Sequence, residues 1–471
     1  MPDRKQYVEG SLSICTPPLD LAVALARRCA DPYVVYERDG EWALARGAAF
    51  ELTVDARGVH RVDPTERRTW TDVNTIAAVE AALSSIPLRG WRIYGTASFE
   101  LAYLLHGIKI DRAISAASET EPWLHLCIPS VEVRLRQGEA LIRVLDSGRL
   151  EMEVELVASL DRADAPNLVE RPTCRMSSRS SRLSNVGLQD ETTYKELVRL
   201  ATREIGAGRL QKVIASRVVP ISSPVDIVAT YAAGRRANSP ARSFMIDRGG
   251  MKVAGFSPET VLEVSASGRV STQPLAGTRA LVADEVENTR LRTELLRDAK
   301  ELAEHAISVK VAFEELKRVC CDDSVAVSEF MSVRHRGAVQ HLASRVIGTL
   351  EDGETAWSAF QALFPAVTAS GVPKREALDW IRQHEPEARG LYAGAVVVAG
   401  DDGSLDAALI LRTIFQRGAR TWLRAGAGIV EQSTPEREFQ ETCEKLESIT
   451  PHIVISASEF LHAQGAEPAH A

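Results

Sequence analysis

A single large α/β (α+β) body, rich in antiparallel sheet, is the fold class this sequence predicts, and three observations carry it. Short strand-like runs alternate with helical ones through residues 1–158. Three strand-like runs separated by glycine or proline begin at Arg242. Near the end, Arg424-Ala-Gly-Ala-Gly-Ile-Val-Glu431 followed by Pro435-Glu-Arg-Glu438-Phe-Gln-Glu441-Thr-Cys-Glu-Lys445 reads as buried strand, turn and acidic helix, with Ser433 or Thr434 marking the helix start. At 471 residues, 45% hydrophobic and 25% charged, the chain can bury a large core. Units of this class run past about 250 residues as one body, so no split is imposed.

In chain order, Leu19–Cys29 and Asn74–Leu83 have helical apolar spacing, while Tyr33–Tyr36, Glu51–Val54, Val131–Leu135 and Leu141–Val144 read as strands. Phe99–His106 reads as a core helix whose Glu100 and His106 are structural. Residues 159–190 turn rich in Ser, Arg and Pro, including Arg175-Met-Ser-Ser-Arg-Ser-Ser-Arg182, and read as a linker or surface loop. The chemistry concentrates in 191–456, and 457–471 form a tail.

In that region a helix is expected over Thr192–Ala207. The following strand, Leu210–Pro220, puts Lys212, Ile214 and Ser216 on one face. On an edge strand Lys212 would simply be exposed. Strands follow at Arg242–Ile246, Lys252–Phe256 and Thr260–Val264; Val270–Arg279 ends in a Gly-Thr-Arg loop, and one helix spans Val286–Lys317.

Glu301 and Glu304 are i, i+3 neighbours on that helix, and Glu438, Glu441 and Lys445 share a face of the last one. Two carboxylate pairs supply hard oxygen donors suited to Mg²⁺. Solvated amphipathic helices would show the same spacing.

A net charge of −8 argues against a nucleic-acid or anionic-membrane binder, so an anionic ligand needs a local positive site. The N-terminus lacks a signal pattern and no apolar run nears the roughly 20 residues that span a bilayer, so a cytoplasmic location is expected. Seven cysteines without CxxC or zinc-like spacing fit reduced structural thiols, Cys443 among them.

Six motifs, taken together, resemble the chorismate-utilising enzymes: Pro274-Leu-Ala-Gly-Thr-Arg279, Asp298-Ala-Lys-Glu-Leu-Ala-Glu-His305, Val339-Gln-His341-Leu, Leu363-Phe-Pro-Ala-Val-Thr-Ala-Ser-Gly-Val-Pro-Lys374, Arg424-Ala-Gly-Ala-Gly428 and the Glu438/Glu441/Lys445 helix. The likeness spans about Thr192–Ile455. Within the family, the Phe364–Lys374 segment, Lys212–Arg217 and Gly390–Ala395 look most like the salicylate synthases of siderophore or aryl-capped metabolite pathways. Gln273 departs from the Glu of a close relative, which bears on the second reaction step.

The resemblance implies two facing antiparallel-rich sheets, helices outside and a central cleft for chorismate. It implies Lys212 as the base that activates water and Glu259 as the acid that protonates the departing C4 hydroxyl. The first needs a lowered pKa and the second a raised one, and burial serves both. Without the resemblance, Glu259 reads as a turn carboxylate. Glu304 and Glu441 are implied as Mg²⁺ ligands, with Glu301 and Glu438 behind them or bound through water. Lys445 and His341 would lie near the ring carboxylate, Tyr392, Arg412 and the amides around Gly426 near the enolpyruvyl carboxylate, and Gly277 and Thr278 against the ring. Isochorismate synthase is the nearest rival. Less favoured are an ammonia-using anthranilate or amino-isochorismate type, against which Lys212 and the absence of an evident glutaminase half both argue, and a non-catalytic chorismate-binding subunit. No glutaminase partner is expected.

Overall fold

The computed structural model describes residues 5–63, 66–71, 74–110, 114, 121–162 and 190–456. Both the Ser/Arg-rich segment, from 163 to 189, and the tail from 457 lie outside them. The helix Leu150–Arg162 runs past the expected boundary at 158, and its Asp161 carboxylate accepts the Cys15 and Thr16 amides at 2.9 and 2.7 Å.

The architecture turns on two long strands, Glu41–Asp55 and Leu124–Arg136, paired antiparallel with a register break between Ala48 and Phe50. At that break the sheet divides. One arm continues through Tyr33–Arg38, Arg242–Arg248, Met251–Ser257, Thr413–Arg417, Arg420–Ile429 and Lys212–Ile221. The other continues through Arg92–Ala97, Ala395–Gly400, Leu405–Leu409, Thr260–Val264, Arg269–Thr272 and Val339–Thr349. Every one of these pairings is antiparallel. In each arm a strand from the first 158 residues, Tyr33–Arg38 or Arg92–Ala97, pairs directly with one from the last 260, Arg242–Arg248 or Ala395–Gly400, so the N-terminal part belongs to the same body.

Each arm packs helices on one face; burial alternates where the other face meets solvent and is continuous where that face is covered too, as along Leu405–Leu409. One core packs the Pro18–Arg28, Leu150–Arg162 and Ile227–Ala237 helices on the first arm around Leu21, Val35, Tyr231 and Leu423. The larger core runs from Val54 and Tyr94 through Phe244 and Phe360 to Val397. Among the described residues no helix is long and apolar enough to cross a membrane.

One expectation is corrected. The helix expected over Val286–Lys317 is two, Glu285–Leu295 and Ala299–Leu316. Asp298 breaks it because its carboxylate accepts the Lys300 and Glu301 amides at 2.9 and 3.2 Å, a side-chain cap for N–H groups that have no partner in a new first turn. Lys212 is not on an edge strand, and it is buried, as a base at this position requires. Its strand is covered along its length by Arg420–Ile429 and at its start by Gly371–Val372, leaving the side chain 0% exposed.

Candidate active site

A cleft opens where the two arms face each other. It is lined by Glu259, Gly277, Thr278, Glu304, His341, Tyr392, Arg412, Gly426, Glu441 and Lys445, ten of the thirteen residues singled out from sequence, with Thr368 and Arg424 between them. The other three stand one layer back. Lys212 lies beneath Gly428, and Glu301 and Glu438 line a neighbouring cleft together with Lys300, Arg279 and Arg437. The four glutamates thus form a wall between two cavities.

Backbone geometry makes room for these side chains. Gly277 sits at φ +79° in a register break of its strand, a conformation that favours glycine, and presents its carbonyl to His341. A Cβ on Gly428 would stand 2.1 Å from Glu304 Oε1. The small-residue strand is therefore small because the glutamate passes over it.

Glu259 is buried, and both carboxylate oxygens are held: Oε2 accepts the Leu275 amide at 2.6 Å and Oε1 meets the Thr368 hydroxyl. Burial pushes its pKa up to about 7, against the opposing pull of those bonds and of Lys212. His341 is neutral, because burial and then the Arg412 and Lys445 charges hold its pKa well below the usual range. Its Nδ1 lies 3.2 Å from the Gly277 carbonyl, which only accepts, so Nδ1 carries the proton and Nε2 accepts from Arg412 Nη2 at 3.0 Å. Arg412 is itself buried, which brings its pKa down to about 10, and its Nη1 has no hydrogen-bond partner. A buried guanidinium nitrogen aimed at nothing is a ready donor for an anion.

At the other end, Lys212 Nζ pairs with Glu304 Oε1 at 2.9 Å and donates to Ser308 Oγ at the same distance. Lys300 Nζ stands 3.5 Å from Glu301, 3.5 Å from Glu304 and 3.1 Å from Glu438. Lys445 Nζ bridges Glu441 Oε1 at 2.7 Å and the Gly426 carbonyl at 2.8 Å. Burial disfavours the charge on Glu441, but Lys445, Lys300 and Arg437 outweigh it and hold its carboxyl well below the ordinary range. In Glu438 burial wins, pushing it up to about 7.

As they stand, no three acidic, histidine or cysteine side chains among the described residues close on a common point. Even so, Glu438 Oε2 and Glu441 Oε2 are buried with no hydrogen-bond partner, and Glu438 Oε1 has only its ion pair with Lys300. Orphaned carboxylate oxygens in an all-oxygen donor set fit a hard divalent cation such as Mg²⁺.

Sequence reasoning passed over several groups. Thr368 lies inside the Phe364–Lys374 motif, but nothing in its spacing marks it. Lys300 was signalled by its i, i+4 relation to Glu304. The buried Glu385 has no local signal at all: it accepts from Ser216, Arg389 and Arg424 and so ties the strands carrying Lys212 and Gly426 together. Arg389 and Arg424 in turn lie 5.8 and 5.5 Å from the Tyr392 ring centroid.

The profile of the chorismate binding enzymes matches residues 31–451. A salicylate synthase from Mycolicibacterium paratuberculosis (strain ATCC BAA-968 / K-10) is 38% identical over 442 residues, covering 92% of each chain. Among solved structures, anthranilate synthase component I from Streptococcus pneumoniae TIGR4 superposes with TM-score 0.68 at 25% identity, over 87% of this chain and 92% of that one. The menaquinone-specific isochorismate synthase from Escherichia coli gives TM-score 0.67 at 22% identity over 95% of each chain and shares the fold. With a profile that spans both arms of the sheet and the whole cleft, and a relative similar from end to end, this chain belongs to the chorismate binding enzymes and is a chorismate-utilising enzyme.

Proposed function

We propose that the protein is a salicylate synthase, converting chorismate with water to isochorismate and then to salicylate and pyruvate for a siderophore or aryl-capped metabolite. The observation that carries this reading is the end-to-end similarity to a salicylate synthase, read with a buried lysine and a buried, proton-retaining glutamate around one cleft.

In the first step Lys212 takes a proton from water, the hydroxyl oxygen bonds to ring C2, the ring double bonds shift, and the C4 hydroxyl leaves as water with the proton of Glu259. Arg412, Tyr392 and the amides around Gly426 hold the enolpyruvyl carboxylate, while Gly277 and Thr278 pack on the ring and neutral His341 fixes Arg412. Glu304 and Glu441 would bind Mg²⁺, with Glu301 and Glu438 behind them and Lys445 beside the ring carboxylate. When bound, the metal supplies positive charge to that carboxylate. In the second step the hydrogen on C2 passes to the side-chain methylene as the C3–O bond breaks, which releases pyruvate and leaves the aromatic ring. That rearrangement asks the cleft to fold the substrate rather than to supply another acid or base.

The test is incubation with chorismate and Mg²⁺, with products resolved and ammonium or glutamine supplied in a parallel reaction. Salicylate and pyruvate in equal amounts, unaffected by nitrogen source, are expected. Isochorismate accumulating without pyruvate would make the protein an isochorismate synthase, and an aminated product would make it an ammonia-using one.

A further inference from the structure

Glu259 and Thr368 line the substrate cleft and also a second cavity, of about 10 Å³, shared with Thr260, Gln273 and Glu315. That is room for about one water molecule. One polar side-chain atom on its wall, Thr260 Oγ1, is buried with no hydrogen-bond partner, and the buried Gln273 side chain lines the same cavity. On the far wall Glu315, also buried, pairs with Lys374 Nζ at 2.7 Å. The proposed reaction leaves this ion pair without a task.

It also leaves a proton unaccounted for. Each isomerisation ends with Glu259 as a carboxylate and Lys212 carrying the proton from water, so Glu259 must be reprotonated. The Leu275 amide only donates, so it marks Oε2 as the unprotonated oxygen. The proton arrives at Oε1, to which the Thr368 hydroxyl donates; that hydroxyl can hand its proton to the carboxylate while accepting another from the cavity side.

We propose that Thr368 and one water held by Thr260 and Gln273 form a proton path from the Glu315–Lys374 pair to Glu259. This rests on Glu259 being the acid. One O–H bond forms at Glu259 Oε1 as one N–H or O–H bond breaks in the pair, which solvent then reloads. Burial pushes the Glu315 carboxyl up and the Lys374 ammonium down, bringing the two groups closer in proton affinity. The charges bearing on Glu259 are Lys212, Lys445, Arg412 and Arg336; those on Glu315 are Lys374, Arg318 and Glu314.

The test is Gln273→Leu and Thr260→Val under saturating chorismate and Mg²⁺. Expected is a fall in kcat of about tenfold, part of the roughly 10²–10⁴-fold an acid supplies, with KM unchanged and a larger solvent deuterium isotope effect. Thr260→Ser should stay within about twofold of the parent, since it keeps a hydroxyl at the water. Unchanged kcat and isotope effect overturn the path, as does a raised KM and lowered Tm with the isotope effect intact. Glu259→Gln is measured alongside: if it turns over normally, the acid assignment fails instead. Should the apolar variants not fold, a proton inventory on the unaltered protein decides, a curved dependence supporting several protons in flight and a linear one opposing them.

Discussion

Lys212 Nζ lies 2.9 Å from Glu304 Oε1, both side chains buried, so the proposed base and a proposed metal ligand are partners in one ion pair. Neither can be altered without disturbing the other. Lys212→Ala should lose turnover by about 10²–10⁴-fold while still binding chorismate in Mg²⁺. Removing one member of a buried pair costs about 3–5 kcal/mol, and because Lys300 still stands 3.5 Å from Glu304, the lower end is expected for metal-free protein. Urea denaturation with and without Mg²⁺ reads the second effect; wild-type turnover would remove Lys212 as base.

Glu259 predicts a pH dependence with a definite sign. Its folded pKa of about 7 exceeds the ordinary 4.5, so the folded protein holds a proton that the unfolded chain releases between those values. The associated stability is complete below about 4.5 and is lost as pH climbs through 7. Glu259→Gln, which cannot ionise, should therefore gain on the parent across that window, by about 3 kcal/mol at about 1.4 kcal/mol per unit. Denaturation at pH 5 and pH 8 measures the gain. For activity, kcat/KM of the parent should fall above about pH 7, and the variant should be nearly inert throughout.

Lys300 is the cation among the glutamates. Burial disfavours its charge, yet Glu304, Glu441, Glu438 and Glu301 together raise its pKa far above that of an ordinary lysine. A divalent ion bound by those carboxylates must share them with this ammonium. Lys300→Gln should bind Mg²⁺ about tenfold more tightly in a calorimetric titration without chorismate, and its metal-free form should melt lower. Weaker Mg²⁺ binding would instead mean that Lys300 orients the carboxylates the ion needs.

What the sequence disclosed followed the range of the interaction. Both carboxylate pairs were legible because i, i+3 spacing is a property of one helix, and the Thr434 cap because it acts within one turn. Lys212 was legible as one face of a strand, but its burial followed only from the family resemblance and not from spacing, since it depends on Arg420–Ile429 some two hundred residues away. The break at Asp298 was missed because helical apolar spacing continues across it, and only the capping bonds reveal it. Glu385, held by Ser216, Arg389 and Arg424, belongs to no motif, and no single-chain pattern joins those four positions.

Gly428 offers a way to disturb the site without touching a charged group. A Cβ there would meet Glu304 Oε1 at 2.1 Å and Lys212 Cε at 3.2 Å, so Gly428→Ala must push the glutamate off the strand or the lysine away from it. Its neighbour Gly426 is a poorer choice, because a Cβ there runs into the Ala215 carbonyl at 2.6 Å and would strain the sheet itself. The Glu304 carboxylate is the end of a flexible side chain and can yield where backbone cannot, so the Gly428→Ala fold should survive with Tm lowered by only a few degrees. The site should not: displacement by about 1 Å costs about 10²-fold in rate, and Mg²⁺ affinity should fall with it. Paired measurements of Tm, Mg²⁺ binding and kcat separate these effects. If all three match the parent, the close passage of Glu304 over Gly428 has no part in catalysis, and the small-residue strand needs another explanation.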